Sequence, residues 1–125
     1  MNKTAIFIFS DPKAGGEEAL GRAFNGLAAA YDIQQSGGEV SITFQGTGTR
    51  WPALISQAGH PLHDLYSSVK NNIAGVSCGC AEAFGAAEEA KACGIDLISE
   101  NPIPGTTGLA SFGKLLKFGT AVLIF

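Results

Sequence analysis

The chain has 125 residues, of which 46% are hydrophobic and 15% are charged, and its formal net charge at pH 7 is −3. This length and hydrophobic fraction predict a single domain over residues 1–125 with its own core, and they exclude an intrinsically disordered chain. The 8 Lys and Arg residues are scattered, so the charge pattern predicts no surface for nucleic acid or for an anionic membrane. No apolar run reaches the roughly 18 residues that a membrane-spanning helix needs.

The N-terminal segment, residues 1–4, leads directly into an apolar run and lacks the pattern of a secretory signal peptide. We therefore expect a cytoplasmic protein whose 3 cysteines are reduced at rest. Reduced cysteines remain free for thiol chemistry, so their positions along the chain indicate where a site can lie.

The first half of the chain alternates strand-like and helix-like segments. Residues 5–9 are a continuous apolar run, which is typical of a strand buried on both faces. Apolar residues then recur every three or four positions over 17–35, which predicts a helix that starts with two glutamates and ends at a glycine pair. Residues 40–44 alternate apolar and polar and predict a second strand. Weaker helical patterns follow at 53–57 and 61–71.

The second half of the chain continues this alternation. A short strand is predicted at 73–76, an alanine-rich helix at 80–92 and a fourth strand at 95–98. After a proline-containing turn, apolar spacing predicts a helix around 109–116, and the apolar run 120–125 predicts the last strand. Strands that alternate with helices form a parallel sheet with helices on both faces. The sequence therefore predicts an α/β fold, a three-layer α/β/α sandwich around a mostly parallel five-stranded sheet, flavodoxin-like in outline.

The candidate site is a Cys-Gly-Cys segment, formed by Cys78, Gly79 and Cys80 at the junction of a strand and an alanine-rich helix. In a parallel α/β sheet this junction delivers side chains into the ligand crevice. The free N–H groups and the positive dipole end of a helix favour a thiolate there. A thiolate attacks, accepts sulfur or binds metal, so we expect Cys80 and Cys78 to be the catalytic residues.

The third cysteine and the two histidines have simpler interpretations. Cys93 extends the apolar stripe of the predicted helix 80–92, so we expect it to face the core. His60 and His63, together with the Cys-Gly-Cys segment, offer a ligand set that zinc accepts. However, the Cys-x-Cys spacing is unusual for zinc and the histidines are predicted to be exposed, so we predict no metal site and no other cofactor.

The glycine-rich loop 46–52 places Arg50 and Trp51 at the same sheet edge as the cysteines, provided that the flanking strands are parallel. Arg50 is a candidate for stabilising a thiolate or an anionic substrate, and Trp51 for lining a pocket or a subunit interface. The alternative is a Trp51 packed beneath its own loop with Arg50 exposed. Gly48 and Gly79 complete the predicted group of substrate-pocket or thiolate-stabilising residues.

Other enzyme signatures are missing from the sequence. The loop 10–16 after the first strand has neither the G-x-G-x-x-G nor the P-loop pattern, and the glutamates that follow it would repel a phosphate. The chain has no G-x-S-x-G motif of hydrolases. We therefore predict no hydrolase, kinase or dehydrogenase activity.

This order of elements and motifs resembles the DsrE/DsrF-like family, which is related to the Tus-type sulfur-relay subunits. The resemblance covers essentially the whole chain and is closest at 46–51, 60–62 and 75–85. It implies a domain that assembles as a trimer or hexamer, and a cysteine after the third strand that carries persulfide sulfur between partner proteins. The position that matches this cysteine is Cys80, with Cys78 as its neighbour.

We therefore predict a sulfur-relay-like carrier or sulfurtransferase that holds sulfur as a cysteine persulfide and passes it to a partner protein. One alternative is a non-catalytic oligomeric module that binds a small molecule and whose cysteines are incidental. Another is a redox sensor that uses Cys78 and Cys80, since a disulfide between them would close a small, strained and easily reduced ring. The sequence leaves open which of the two cysteines is the carrier.

Overall fold

The computed structural model describes residues 3–125, which form a parallel sheet of five strands with helices on both faces. The strands are β1 (Lys3–Ile8), β2 (Glu39–Phe44), β3 (Ile73–Ser77), β4 (Leu97–Ile98) and β5 (Ala121–Ile124). The helices are α1 (Gly16–Gln35), α2 (Trp51–Ile55), α3 (His63–Val69), α4 (Cys78–Ala83), α5 (Ala87–Ala92) and α6 (Phe112–Lys117). Short 3₁₀ turns cover Gly46–Arg50 and Lys70–Asn72. The α/β fold predicted from the sequence is confirmed.

The strand order is β4-β3-β2-β1-β5, and every neighbouring pair is parallel. Crossovers between parallel strands are right-handed, so connections that run in opposite directions along a sheet lie on opposite faces. The chain runs from β1 to β4 in one direction and then returns to place β5 on the other side of β1. This return puts α6 on the face opposite to α1.

The two faces of the sheet carry cores of different size. The larger core lies under α1, α2, α3 and α5 and receives the strand residues Ile6, Ile8, Ile42, Phe44 and Val76. On the other face, Ala5 and Phe7 pack near α6, and the ring centroids of Phe7 and Phe112 are 4.5 Å apart. Alternation of side chains along β1 supplies both cores, so this strand is buried on both faces, as predicted.

The alanine-rich segment differs most from its prediction, because the chain forms α4 and α5 in place of one helix over 80–92. Gly85 has a φ of 71°, in the left-handed region that ends helices. The next residue, Ala86, donates its N–H to the Ala81 carbonyl at 2.7 Å, which satisfies a carbonyl at the helix end. The cysteine pair therefore lies in a helix of 6 residues, whose negative end is only about 9 Å from its positive end. Such a helix favours a thiolate less than the long helix that was expected.

Smaller differences concern where elements begin and what covers them. Helix α2 begins at Trp51, inside the predicted loop, and α6 begins at Phe112 rather than near 109. Strand β5 is apolar as predicted, but it lies at an edge of the sheet and Ile124 is 55% exposed. Among residues 3–125, every helix is too short or too polar to cross a bilayer.

Candidate functional site

The end of β3 delivers Cys78 to the carboxyl edge of the sheet, where it is the first residue of α4. The buried hydroxyl of Ser77 accepts a hydrogen bond from the Ala110 N–H at 3.3 Å. The N–H of Gly79 donates to the Gly108 carbonyl at 2.7 Å. Both bonds hold the loop that follows β4 against the start of α4. We call residues 105–108 of this loop the strap.

Gly79 allows this close approach of the strap. A Cβ at Gly79 would lie 3.0 Å from Leu109 Cδ1 and 3.2 Å from the Gly108 carbonyl oxygen. Gly79 also lines an open depression of about 440 Å³, together with Glu82 and residues of the strap. The predicted pocket residue Gly79 thus lies beside a surface cavity at the cysteine pair.

Two polar side chains contact the sulfur of Cys78. Thr107 Oγ1 lies 3.3 Å from Cys78 Sγ, and Glu82 Oε2 lies 3.9 Å from it. The Thr107 hydroxyl donates a hydrogen bond to Glu82 Oε1 at 2.9 Å. Cys78 is only 9% exposed, whereas Thr107 and Glu82 are exposed. A hydroxyl and a carboxylate therefore connect the buried sulfur to solvent.

Sequence patterns alone do not indicate Thr107 or Glu82 as site residues. Glu82 follows Cys78 by four residues, a helical spacing that indicates a contact once α4 is known to start at the cysteine. Thr107 is 29 residues away from Cys78 along the chain, and no local pattern indicates that the two meet.

Cys80 lies in the first turn of α4 and is partly exposed. Within residues 3–125 its sulfur takes part in no hydrogen bond, in contrast with the sulfur of Cys78. Side chains two residues apart on a helix point in different directions. A disulfide between Cys78 and Cys80 would therefore require α4 to unwind locally.

Arg50 binds groups other than the cysteine sulfurs. Its Nη1 lies 3.1 Å from Asp11 Oδ1, its Nε donates to the Phe84 carbonyl at 3.3 Å, and its Cζ lies 5.5 Å from the centroid of the Phe84 ring. The hydrogen bond from the Lys13 backbone N–H, and also the Arg50 guanidinium, lower the pKa of Asp11. Arg50 therefore ties the loop after β1 to the end of α4, and Asp11 balances its charge.

Trp51 and Gly48 pack the loop after β2 against β1. Trp51 is 2% exposed, and its indole N–H donates to the Ser10 carbonyl at 2.8 Å. A Cβ at Gly48 would overlap the Ile8 carbonyl oxygen, so only glycine fits there without a shift. Trp51 is therefore buried against the loop that follows β1.

His60 and His63 lie in and just after the connection between α2 and α3. The Nδ1 atom of His60 accepts the Leu62 N–H at 3.0 Å, and His63 Nδ1 lies 2.9 Å from the Ile55 carbonyl oxygen. Burial lowers the pKa of His60, which favours the neutral ring that can accept this bond. Among residues 3–125, no three His, Cys, Asp or Glu side chains are placed to share a metal ion. The four residues considered for zinc are thus not brought together.

Cys93 follows α5 and is half-buried against the larger core, on the side predicted for it. Its Sγ lies 3.3 Å from Ser56 Oγ and 3.8 Å from the Pro52 carbonyl oxygen. The Ser56 hydroxyl also donates to the Ala53 carbonyl at 3.3 Å. Cys93 therefore contacts one backbone carbonyl of α2 directly and is connected to another through the Ser56 hydroxyl.

The fold and the site together define an α/β protein with two cysteines at the carboxyl edge of a parallel five-stranded sheet. The crystal structure of the ychN protein from E. coli is similar to this chain over 100% of both chains, with a TM-score of 0.58 and 20% sequence identity. That neighbour is a DsrE/DsrF-like protein, and at this identity the likeness shows a shared fold. No family model matches the chain, and no curated protein sequence matches it either.

Proposed function

We propose that this chain is a sulfur carrier that holds sulfur as a persulfide on a cysteine of the Cys78–Cys80 pair. The observation that carries the proposal is the contact of the Cys78 sulfur with the hydroxyl of Thr107, which itself binds the Glu82 carboxylate. This contact lies at the edge where parallel sheets bind ligands. The core-facing Cys93 also contacts a hydroxyl, but that hydroxyl leads to a backbone carbonyl and not to a carboxylate.

The proposed transfer is a thiol–persulfide exchange. The cysteine thiolate attacks the terminal sulfur of a persulfide on a donor protein, a new S–S bond forms on this chain, and the S–S bond of the donor breaks. The donor thiolate leaves with the electron pair and takes up a proton, which replaces the proton lost by the attacking thiol. No external oxidant or reductant is needed. The same exchange in reverse passes the sulfur to an acceptor protein.

The structure and the sequence resemblance favour different members of the pair. The resemblance points to Cys80, which is also the more exposed of the two. The polar contacts favour Cys78, because among residues 3–125 its sulfur contacts a side-chain hydroxyl and a carboxylate, whereas the sulfur of Cys80 contacts neither. We therefore propose Cys78 as the sulfur acceptor and Cys80 as a second thiol beside it.

Mass spectrometry of the intact, reduced protein after exposure to a persulfide donor tests this proposal. We expect the parent chain to gain the mass of one sulfur atom, Cys78→Ser to lose this gain, and Cys80→Ser to retain it. Cys93→Ser is the matched control, and its gain should equal that of the parent. Loss of loading in Cys80→Ser alone would move the carrier to Cys80. Absence of loading in every form would overturn the proposed function.

We also infer that the chain forms a homo-oligomer, as the family resemblance implies. A partner protein would dock over the carboxyl edge of the sheet, where Cys78 and Cys80 lie. Large apolar side chains stay exposed on α6 and directly after it, with Leu116 62% and Phe118 72% exposed. Exposed apolar clusters of this kind mark interaction surfaces. Light scattering should give a mass of several chains, and Phe118→Glu should reduce it. A monomeric parent chain would contradict the inference.

A further inference from the structure

We propose that the open edge of β5 pairs with β5 of a second copy of this chain, in antiparallel order around a two-fold axis at Leu123. This pairing rests on the homo-oligomer inferred above, and it names the strand through which two copies meet. It does not depend on which cysteine carries sulfur. A two-fold contact of this kind makes the number of chains in a closed assembly even.

Hydrogen bonds at the end of β5 show which of its backbone groups point into the sheet. Phe125 donates its N–H to the Phe7 carbonyl at 2.8 Å, and its own carbonyl accepts the Phe9 N–H at 2.7 Å. Both backbone groups of Phe125 therefore point toward β1. Successive residues of a strand direct these groups to alternate sides. Leu123, two residues before Phe125, thus also directs its N–H and C=O toward β1.

Two residues of β5 turn their backbone groups outward. Val122 and Ile124 lie on either side of Leu123 along the strand, so their N–H and C=O groups point away from β1. β5 is the last strand in the sheet order, and within residues 3–125 no strand pairs with its outer side. Thr120 would be next on that side, but its N–H already donates to the Leu115 carbonyl at 3.0 Å. The open edge thus offers two donors and two acceptors.

A register centred on Leu123 uses all of these groups. With Leu123 opposite its own copy in an antiparallel pair, Val122 of each chain lies opposite Ile124 of the other, and each such pair exchanges two hydrogen bonds. A register centred on Val122 places Ile124 opposite Thr120, whose N–H is already used. The backbone of this edge is therefore complementary to itself around Leu123.

The two edges of the sheet differ in how they are protected from pairing. β4 has only 2 residues, and the charged Glu100 follows it closely. Short strands and charges of this kind prevent pairing at an edge. β5 has 4 apolar residues without charge or proline, and the side chains of Leu123 and Ile124 are 40% and 55% exposed. An exposed apolar edge is a template for a further strand.

Leu116 of α6 extends this apolar edge. Lys114 binds Glu100 at 2.8 Å, so it lies on the flank of α6 that faces β4. A rotation of about 200° over two residues places Leu116 on the other flank, which faces β5. Leu116 is 62% exposed and lies on the same face of the sheet as Ile124. In a two-fold contact each patch meets itself, and an uncharged apolar patch meets no repulsion from its own copy.

Disulfide formation tests the register, in a chain whose native cysteines are all replaced by serine. Leu123→Cys should form a covalent dimer under mild oxidation, because its own copy faces it with Cα atoms about 4.5 Å apart, within the reach of a disulfide. Ala121→Cys is the matched control, exposed and on the same face of β5. Its own copy would lie about 14 Å away, so this variant should stay without a cross-link on a non-reducing gel. A dimer in neither variant, or in both equally, overturns the pairing.

A charge exchange tests the two-fold axis without a covalent bond. Leu123→Lys or Leu123→Glu alone sets like charges opposite each other and should weaken association by about tenfold, whereas a mixture of the two variants should restore it. Light scattering over a dilution series measures the association, and circular dichroism checks that each variant is folded. Association of each single variant at the parent's strength contradicts the pairing, as does a mixture that is no stronger than its components.

The outcomes for the pairing and for the proposed function are distinguishable. A monomeric parent chain overturns both the pairing and the homo-oligomer. An oligomeric parent whose Leu123→Cys variant gives no cross-link overturns the pairing alone. Persulfide loading of the cysteine pair reports separately on the sulfur carrier, because β2 and β1 lie between β3 and β5 in the sheet.

Discussion

Cys78 and Cys93 have the same nearest polar contact, since each sulfur lies 3.3 Å from a side-chain hydroxyl. The groups behind the two hydroxyls differ. Thr107 continues to the ionisable carboxylate of Glu82, whereas Ser56 continues to the backbone carbonyl of Ala53. A carbonyl can hold a hydrogen bond but cannot take up a proton. What distinguishes the two cysteines is therefore the group behind the hydroxyl that each sulfur contacts.

The two cysteines also differ in how their partners reach them. Ser56 directly follows α2, which packs against α5 within the same side of the sheet. Thr107 belongs to the strap, which is held in place by the bond from Gly79 to Gly108 and by turns at Gly105 and Gly108. The site at Cys78 therefore depends on the backbone conformation of a loop. Substitutions that change this conformation should disturb the surroundings of Cys78 and leave those of Cys93 intact.

The largest effect is expected from Gly108→Ala. Gly108 has a φ of 102°, and a Cβ there would overlap Ser99 Oγ, so the substitution adds both strain and a clash. We expect the free energy of unfolding to fall by about 2–3 kcal/mol. The displaced strap should also speed alkylation of Cys78, because Thr107 of the strap covers a thiol that is only 9% exposed, while Cys93 reacts at its former rate. Urea denaturation and the two alkylation rates measure these effects.

Gly105→Ala is the matched control for Gly108→Ala. Gly105 also has a positive φ, 82°, but nothing lies within 4 Å of a Cβ built there. We expect a cost of about 1 kcal/mol from strain alone and little change in the reactivity of Cys78. Equal effects of the two substitutions would show that contact with Ser99 does not position the strap.

A smaller effect on the free energy of unfolding, of opposite sign, is expected from Tyr66→Phe, in the core that Cys93 packs against. The Tyr66 ring is buried, and its hydroxyl has no hydrogen-bond partner within residues 3–125. Because an unpaired buried hydroxyl costs free energy, its removal should raise the free energy of unfolding at pH 7 by up to about 1 kcal/mol. Thermal or urea unfolding measures the change. A less stable Tyr66→Phe would show that the hydroxyl has a partner.

The same variant carries a pH signature. Burial, and secondarily the charge of a Cys93 thiolate, raise the pKa of Tyr66 above its usual value of 10.0. The unfolded chain therefore loses this proton first as the pH rises. As a result, the free energy of unfolding is unaffected by this group below about pH 10 and falls above it. Tyr66→Phe should lose less stability than the parent above pH 10.

Strong periodic signals in the sequence predicted the fold correctly. The apolar run of β1 indicated a strand buried on both faces, and the spacing over α1 indicated one long helix. The break at Gly85 was missed, because alanines on both sides favour a helix and a glycine in a helical pattern is a weak signal. Because of that break, the two cysteines lie in a helix of 6 residues rather than in a long one.

By itself, the sequence determined that two cysteines follow the third strand at the carboxyl edge of a parallel sheet, because hydrophobic periodicity is a local property of the chain. Only the tertiary structure decided which polar groups meet them. Thr107 reaches Cys78 across 29 residues because β4 pairs with β3 and the loop after β4 folds back over α4. Strand order and loop path depend on packing between distant segments, and for this reason the chemistry around Cys78 became visible only in the folded chain.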